Sequence, residues 1–535
     1  MKPTFLAGIV LSLALAGRAP AINLLVYTTT DSGAGSLRQC IADNAALGGG
    51  STIIFSNVVT GTITLTNGEL LITNNVTILG PGANVLAVDG NAASSVFHIN
   101  NGVTTAISGL TITNGNSADD GGGIYNDHST VTVSNCTLSS NSGSDWGGGI
   151  FNFGYGGSAA LMVVASTLSG NSAGAGGGIY NDGYGGSAAL TVVASTLSGN
   201  SADDVGGGIY NDGLEGSATL TVIASTFSGN SADDVGGGIY NDGLEGSATL
   251  TVIASTFSGN SASQGGGIYN HTCYTQSATL TVVASTFNGN SASQGGGIFN
   301  DAYDSCPDIA NYLSGQSAAS PGNTTGATLE IGDTILNAGA SGENITNMSG
   351  TIMSDGYNLS SDAAGGDDHS TGPGGLLNAP GDIRNTDPML GPLTDNGGTT
   401  FTHALLPGSP ATDQGNSFGL TTDQRGFPRP VVDPCIADAS GGDGSDIGAF
   451  EVQQVCRPVV FAITAIGRIG TGNDLRLSYA TVLGSNYVVQ TRSDMVSGSW
   501  ANLPGTNVGI GVIMQSIVTN ALAAPQGFYR IQQSP

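Results

Sequence analysis

The sequence predicts a parallel β-helix, an all-β solenoid with a capping helix at its N-terminus and a small β module at its C-terminus. Three observations predict it. The string Gly-Gly-Gly-Ile-aromatic-Asn occurs seven times, with its isoleucine at Ile124, Ile150, Ile179, Ile209, Ile239, Ile268 and Ile298, so successive copies stand 26 to 30 residues apart. Between them lie short β-branched runs such as Leu220-Thr221-Val222-Ile223, with no helical period. Residues 203–232 and 233–262 are identical, which makes that unit one structural repeat.

Each unit divides into three strands. Ile209-Tyr210, Leu220 to Ala224 and Thr226-Phe227 supply them, and glycine clusters with Asn-Asp-Gly supply the corners between. Coils stacked about 4.8 Å apart pair every strand in parallel with its copies above and below, and identical side chains line up in columns. Asn116, Asn141, Asn171, Asn200, Asn230, Asn260 and Asn290 form one column, whose amides are expected to satisfy corner backbone groups.

The ends read differently. Ser36 to Ala45 is the one clear helical pattern, with Leu37 and Ile41 on one face, and is placed to cover the open first edge. Cap and repeats occupy residues 22–301. Residues 302–326 break the period as a loop excursion, and terminal rungs occupy 327–456, resuming at Ala327 to Ile331. From residue 457 to 535 the composition changes, and Val459 to Thr464, Leu475 to Tyr479, Tyr487 to Gln490 and Phe528 to Ile531 read as strands of a β-sandwich-like module.

Composition narrows the partners. The 535 residues include 87 glycines, only 9% are charged, and the formal net charge is −28, yet 39% are apolar, enough to bury a core rather than remain disordered. Between Arg38 and Arg384 there is no lysine or arginine, while 27 acids fall in that interval. Nucleic acid and anionic lipid are therefore unsuitable partners. Residues 1–21, with Lys2, an apolar run from Phe5 to Ala16 and small residues at Ala19-Pro20-Ala21, read as a secretory signal. No later run is long enough to be a transmembrane span. Export admits disulfides, and Cys435 with Cys456 and Cys273 with Cys306 are the pairs expected among six cysteines.

Gly-Gly-Gly-Ile together with Phe227-Ser228-Gly229-Asn230 resembles the paired repeat motifs of polymorphic outer-membrane proteins. The two ends of the solenoid carry a second resemblance. Asp31 to Gln39, Asp387 to Leu393, Asp423-Gln424-Arg425-Gly426 and Asp446-Ile447-Gly448-Ala449-Phe450-Glu451 resemble bacterial secreted β-helix proteins of the choice-of-anchor type. Both resemblances imply surface or secreted β-helices, often adhesin-like. The membrane barrel that ends autotransporter-type members has no room after Glu451.

Five sets of residues invite chemistry. Asp367-Asp368 and Asn385-Thr386-Asp387 suggest the separated carboxylates of β-helix polysaccharide hydrolases, but in reverse order, and His369 and His403 lack spaced partners. Loop turns account for them more simply, so no catalytic residue is assigned. Gly441-Gly442-Asp443-Gly444-Ser445-Asp446 matches the opening of a calcium-binding repeat, making Asp438, Asp443, Asp446 and Glu451 the candidate Ca²⁺ ligands; no other cofactor is indicated. Tyr125, Tyr180, Tyr210, Tyr240 and Tyr269 follow the isoleucines and by alternation form an outer stripe, open to sugar stacking or stacked on one another. Asp127, Asp182, Asp212, Asp242 and Asp301 form an acid column interrupted by Phe153 and His271, expected as a hydrated solubilising face or a millimolar Ca²⁺ site. Asp203-Asp204 and Asp233-Asp234 make a second acidic cluster.

An exported, non-enzymatic, adhesin-like rod at the cell surface or in the medium, with an extracellular glycan or surface partner, is the reading these residues favour. A carbohydrate-active β-helix enzyme, hydrolase or lyase, is the first alternative, and a secreted glycan-binding protein the second.

Overall fold

A computed structural model of the protein describes residues 22–118, 120–273, 276–303 and 326–453 of the first unit. In the second unit it describes 463–480, 486–492, 500–508, 513–519, 521 and 528–534. The units are Met1–Val455 and Cys456–Pro535. Residues 1–21, expected as a secretory signal, residues 304–325 of the expected excursion, and Cys456 lie outside the described residues, Cys306 among them.

The first unit is a sequence of short strands repeated rung by rung. In one rung, Ile239–Asp242, Ser247–Ile253 and Thr256–Ser258 follow one another around the coil. Each pairs in parallel with its equivalents, giving a first face of ten strands, a second of twelve and a third of eleven. Register is kept residue for residue, as in Ile209↔Ile239 and Phe227↔Phe257. A fourth, minor face of five short strands runs from Asn116–Ser117 to Ser231–Ala232. Three strands per unit is therefore an undercount: the Ser-Ala turns before the glycines also pair laterally.

Alternation decides what is inside. Ile239, Leu250, Val252 and Phe257 are all 0% exposed, and their columns form one continuous core. Each such side chain contributes about 1.5–3 kcal/mol on burial. At the corner before the first face, Gly236 has φ +68°, and a Cβ there would meet Tyr240 Cβ at 2.7 Å and Ile239 O at 2.8 Å. Only glycine suits that corner.

Polar columns tie the rungs together. Asn181 Nδ2 donates to Asn211 Oδ1, Asn211 to Asn241 and Asn241 to Asn270, each at 2.7 Å and buried. At the opposite corner, Asn200 donates to Asn230 and Asn230 to Asn260 at 2.9 Å, while the same amides reach backbone carbonyls of Leu168 and Leu197. Asn116 does not belong to this column. It pairs with Ser142 and is exposed, because its rung is one residue out of step.

The first end and one flank are covered. The helix Leu37–Ala46 is capped by Ser36, whose side chain accepts from Gln39 N, and it buries Leu37, Cys40 and Ile41 against the first rungs. Residues 390–452 turn back as a strap along the third face. Gln424 Nε2 donates to Thr226 Oγ1 at 2.9 Å, Thr256 Oγ1 donates to Gln424 Oε1 at 2.6 Å, and Ala449 N donates to Thr286 Oγ1 at 3.0 Å. Cys273 and Cys435 each take part in a separate disulfide, and Cys40 and Cys136 are free thiols. Among the described residues no helix is long and apolar enough to cross a membrane.

The second unit is a small antiparallel β module. Leu475–Ala480 lies between Ile463–Arg468 and Ile513–Val518, and Asn486–Arg492 lies between Ala501–Val508 and Phe528–Ser534. Leu477, Tyr479, Tyr487, Val489, Val518 and Ile531 form its core.

Candidate functional site

The outward side of the first face carries the tyrosine and aspartate columns. Successive rings stack at about the rung spacing: Tyr180 to Tyr210 at 4.8 Å and 3°, Tyr210 to Tyr240 at 4.9 Å and 9°, and Tyr240 to Tyr269 at 5.3 Å and 18°. Each phenol reaches one rung on. Tyr180 donates to Asp212 Oδ2 at 2.5 Å, Tyr210 to Asp242 Oδ2 at 3.2 Å and Tyr269 to Asp301 Oδ2 at 2.8 Å. Tyr240 meets His271 Nδ1 at 3.2 Å, where histidine replaces the acid. The other carboxylate oxygen accepts from backbone two residues on, as Asp212 Oδ1 does from Leu214 N.

This arrangement decides between the two alternatives for the tyrosines and corrects the expectation for the acids. Tyr180, Tyr240 and Tyr269 are only 6, 4 and 6% exposed, so their ring faces are closed to a sugar, whereas Tyr125 and Tyr210 are half-buried. Facing away from the core does not expose them, because each ring is stacked between its neighbours, Tyr180 between Phe151 and Tyr210, and Val205 and Val235 pack against the cluster of Tyr240, Tyr269 and Phe299. Nor is the acid column a hydrated face. Asp182, Asp212, Asp242 and Asp301 are 2 to 7% exposed, and Asp127 alone in that series is half-buried. Burial pushes Asp182 up to about 6. Burial, with the charge of Asp242 next, pushes Asp212 up to about 8. The cluster Asp203, Asp204, Asp233 and Asp234 is exposed.

The four Ca²⁺ candidates are not brought to one point. Asp438 is exposed, and Asp443 accepts from Ser417 Oγ at 2.5 Å. Asp446 Oδ1 and Oδ2 accept from Asp413 N and Val452 N, and Glu451 Oε1 and Oε2 accept from Val431 N and Asp446 N. Each of these four oxygens thus already accepts a backbone hydrogen bond. Buried Arg429 closes the knot, pairing with Asp333 and donating to Gly448 O, with its Nε 3.6 Å from Glu451 Oε2. Among the described residues no group of three or more His, Cys, Asp or Glu is arranged to hold a metal. No sequence signal distinguished strap carboxylates that cap backbone from carboxylates that bind a cation.

The acid pairs are loop turns. Asp367 Oδ1 accepts from His369 N and Ser370 N, Asp368 is exposed, and Asp387 Oδ1 accepts from Met389 N. His403 is buried and fastens the strap, its Nε2 3.0 Å from Ser258 Oγ and its Nδ1 2.7 Å from Gly391 O.

Residues 224–242, 254–271 and 284–301 match the Chlamydia polymorphic membrane protein repeat. The chain is a β-helix protein with polymorphic-membrane-protein-like repeats. Each matched stretch runs from a third-face strand, through the asparagine corner and the three glycines, into a first-face strand. The polymorphic-membrane-protein-like unit is thus the buried machinery of stacking: one phenylalanine, one corner asparagine, one isoleucine. No curated protein matches the chain.

Proposed function

We propose that the protein is an exported, non-enzymatic, adhesin-like rod that presents its flanks to an extracellular glycan or surface partner, with the C-terminal β module as an accessory binding or attachment unit. The observation that carries this reading is the run of three polymorphic-membrane-protein repeats within an uninterrupted β-helix. A long stack of identical rungs suits the display of surface, since length is added without a new core at each step. Asp367 and Asp387 lie in neighbouring turns joined through Asn385, and each caps backbone N–H groups of its own turn, which supports a structural role over a hydrolytic one.

Cell fractionation with detection of the protein in membrane, medium and periplasm tests export. Incubation of the purified chain with neutral and acidic polysaccharides tests the rest. Binding without turnover is the expected result, and turnover abolished by Asp368→Asn or Asp387→Asn defeats the non-enzymatic assignment.

A further inference from the structure

The outward column of the first face is not covered along its whole length. Leu71, His98 and Tyr125 occupy successive positions on it, on the strands Leu70–Ile72, Phe97–Ile99 and Ile124–Asp127. The minor fourth face, whose turns cover the later rings, begins only at Asn116–Ser117. At this step lies a recess of about 470 Å³, lined by Glu69, Ser95, His98, Ser117, Asp120 and Tyr125. That volume falls within the range of small-ligand sites, about 300–1,000 Å³.

Its chemistry is specific. Two carboxylates, two hydroxyls, an imidazole and a phenol line it. Glu69 Oε1 lies 2.9 Å from His98 Nδ1. A hydrogen on Nδ1 directed at Glu69 leaves Nε2 as an acceptor. The guanidinium of Arg38 is bonded to Asp31 and to the carbonyls of Gly68 and Glu69, and no arginine or lysine lines the recess. An anionic ligand is therefore disfavoured and a cation favoured. Ring stacking is not the means of capture, since Tyr125 has the edge of His98 at 4.8 Å and Phe151 at 5.5 Å. The mostly polar walls suit a ligand with hydroxyls in several directions, whereas the apolar stem of a lysine finds little to pack on.

We propose that this recess binds a saccharide unit carrying a protonated amine, with Glu69 and Asp120 receiving the ammonium and Ser95, Ser117, His98 and Tyr125 the hydroxyls. The proposal rests on the adhesin-like reading and specifies a ligand for it. Titration calorimetry of the secreted full chain with a β-1,4-linked glucosamine tetramer, its N-acetylated form, the neutral glucose tetramer and a tetralysine peptide tests it.

The glucosamine tetramer is expected to bind at least tenfold more tightly than the other three. Glu69→Gln and Asp120→Asn are each expected to weaken it about tenfold, as for loss of a charge-assisted hydrogen bond, with unchanged circular dichroism and melting. Glu245→Gln, on an exposed turn further along, is expected to leave binding unaltered. Equal binding of the acetylated or neutral tetramer, no binding of any, or indifference to both variants overturns the assignment. Equal binding of tetralysine transfers the recess to protein amines and also overturns it. Surface display in the fractionation experiment stands or falls independently of all four outcomes.

Discussion

Tyr180 donates its phenol hydrogen to Asp212 Oδ2, 2.5 Å away on the next rung. The bond couples the aromatic column to the acid column, so the protonation state of one rung is felt by its neighbour. Burial raises Asp212 to about 8 and Asp182 to about 6 from the ordinary value of 3.8. Groups whose folded values are raised hold protons more tightly in the fold than in the unfolded chain. Their contribution is complete below pH about 4 and is lost as pH rises through the folded values. Glu451, pushed up to about 8 by burial, acts in the same direction.

The melting temperature is therefore expected to fall between pH about 5 and about 8.5. Asp212→Asn, which stays neutral and can accept from Leu214 N through Oδ1 while its Nδ2 donates to the Tyr180 hydroxyl oxygen, is expected to reduce that slope. A wild-type melting temperature that rises over this window, or an unchanged slope in the variant, contradicts the assignment.

Replacing Ile239 by Asp places a carboxylate where the side chain is 0% exposed, among apolar columns on both sides. The cost is about several kcal/mol, against about 1 kcal/mol for Ile239→Val. Limited proteolysis is expected to cut the Asp variant near that rung while the Val variant resists. Wild-type resistance in the Asp variant means that the isoleucine column does not face the core.

The strap is fastened by a few polar side chains. Gln424 alone bonds to Thr226, Thr256, Thr400 and Phe401. Gln424→Leu leaves the buried Thr256 hydroxyl without its acceptor, at about 1–3 kcal/mol for the unsatisfied group, and reduces Thr226, Thr400 and Phe401 to their remaining bonds. Hydrogen exchange is expected to accelerate across residues 390–452 and to stay slow in the rungs. Uniform acceleration in both means that strap and solenoid unfold as one.

Calcium is expected to act on the rod as salt alone, since backbone donors occupy Asp446 and Glu451. Melting with Ca²⁺ and with NaCl of matched ionic strength should coincide. A higher melting temperature with Ca²⁺, abolished by EDTA, identifies a cation site instead.

The solenoid was legible because its code is periodic. Gly-Gly-Gly-Ile marks a corner and an inward residue whatever lies nearby, and Ser36 with Leu37 and Ile41 marks the cap. Burial of the outer columns was not legible from alternation, which says which way Tyr240 points but not what lies over it. The missing signal was present as a further column, Val205 and Val235, at the end of each acidic turn. The strap contacts were beyond reach, since His403 meets Ser258 across 145 residues with no repeat to announce it.

The identical stretches 203–232 and 233–262 can be copied or deleted by recombination with every stacking contact regenerated. Each event changes the length of the rod by one rise, about 4.8 Å. The strap makes such events unequal along the chain. Phe401, Gln424 and Ala449 meet threonines of three successive rungs, Thr226, Thr256 and Thr286, like marks on a ruler laid against the rod. A rung gained before Ala224 leaves those marks aligned. One gained between Thr226 and Thr286 shifts them by a whole division, so natural length variants should accumulate in the N-terminal half of the repeats.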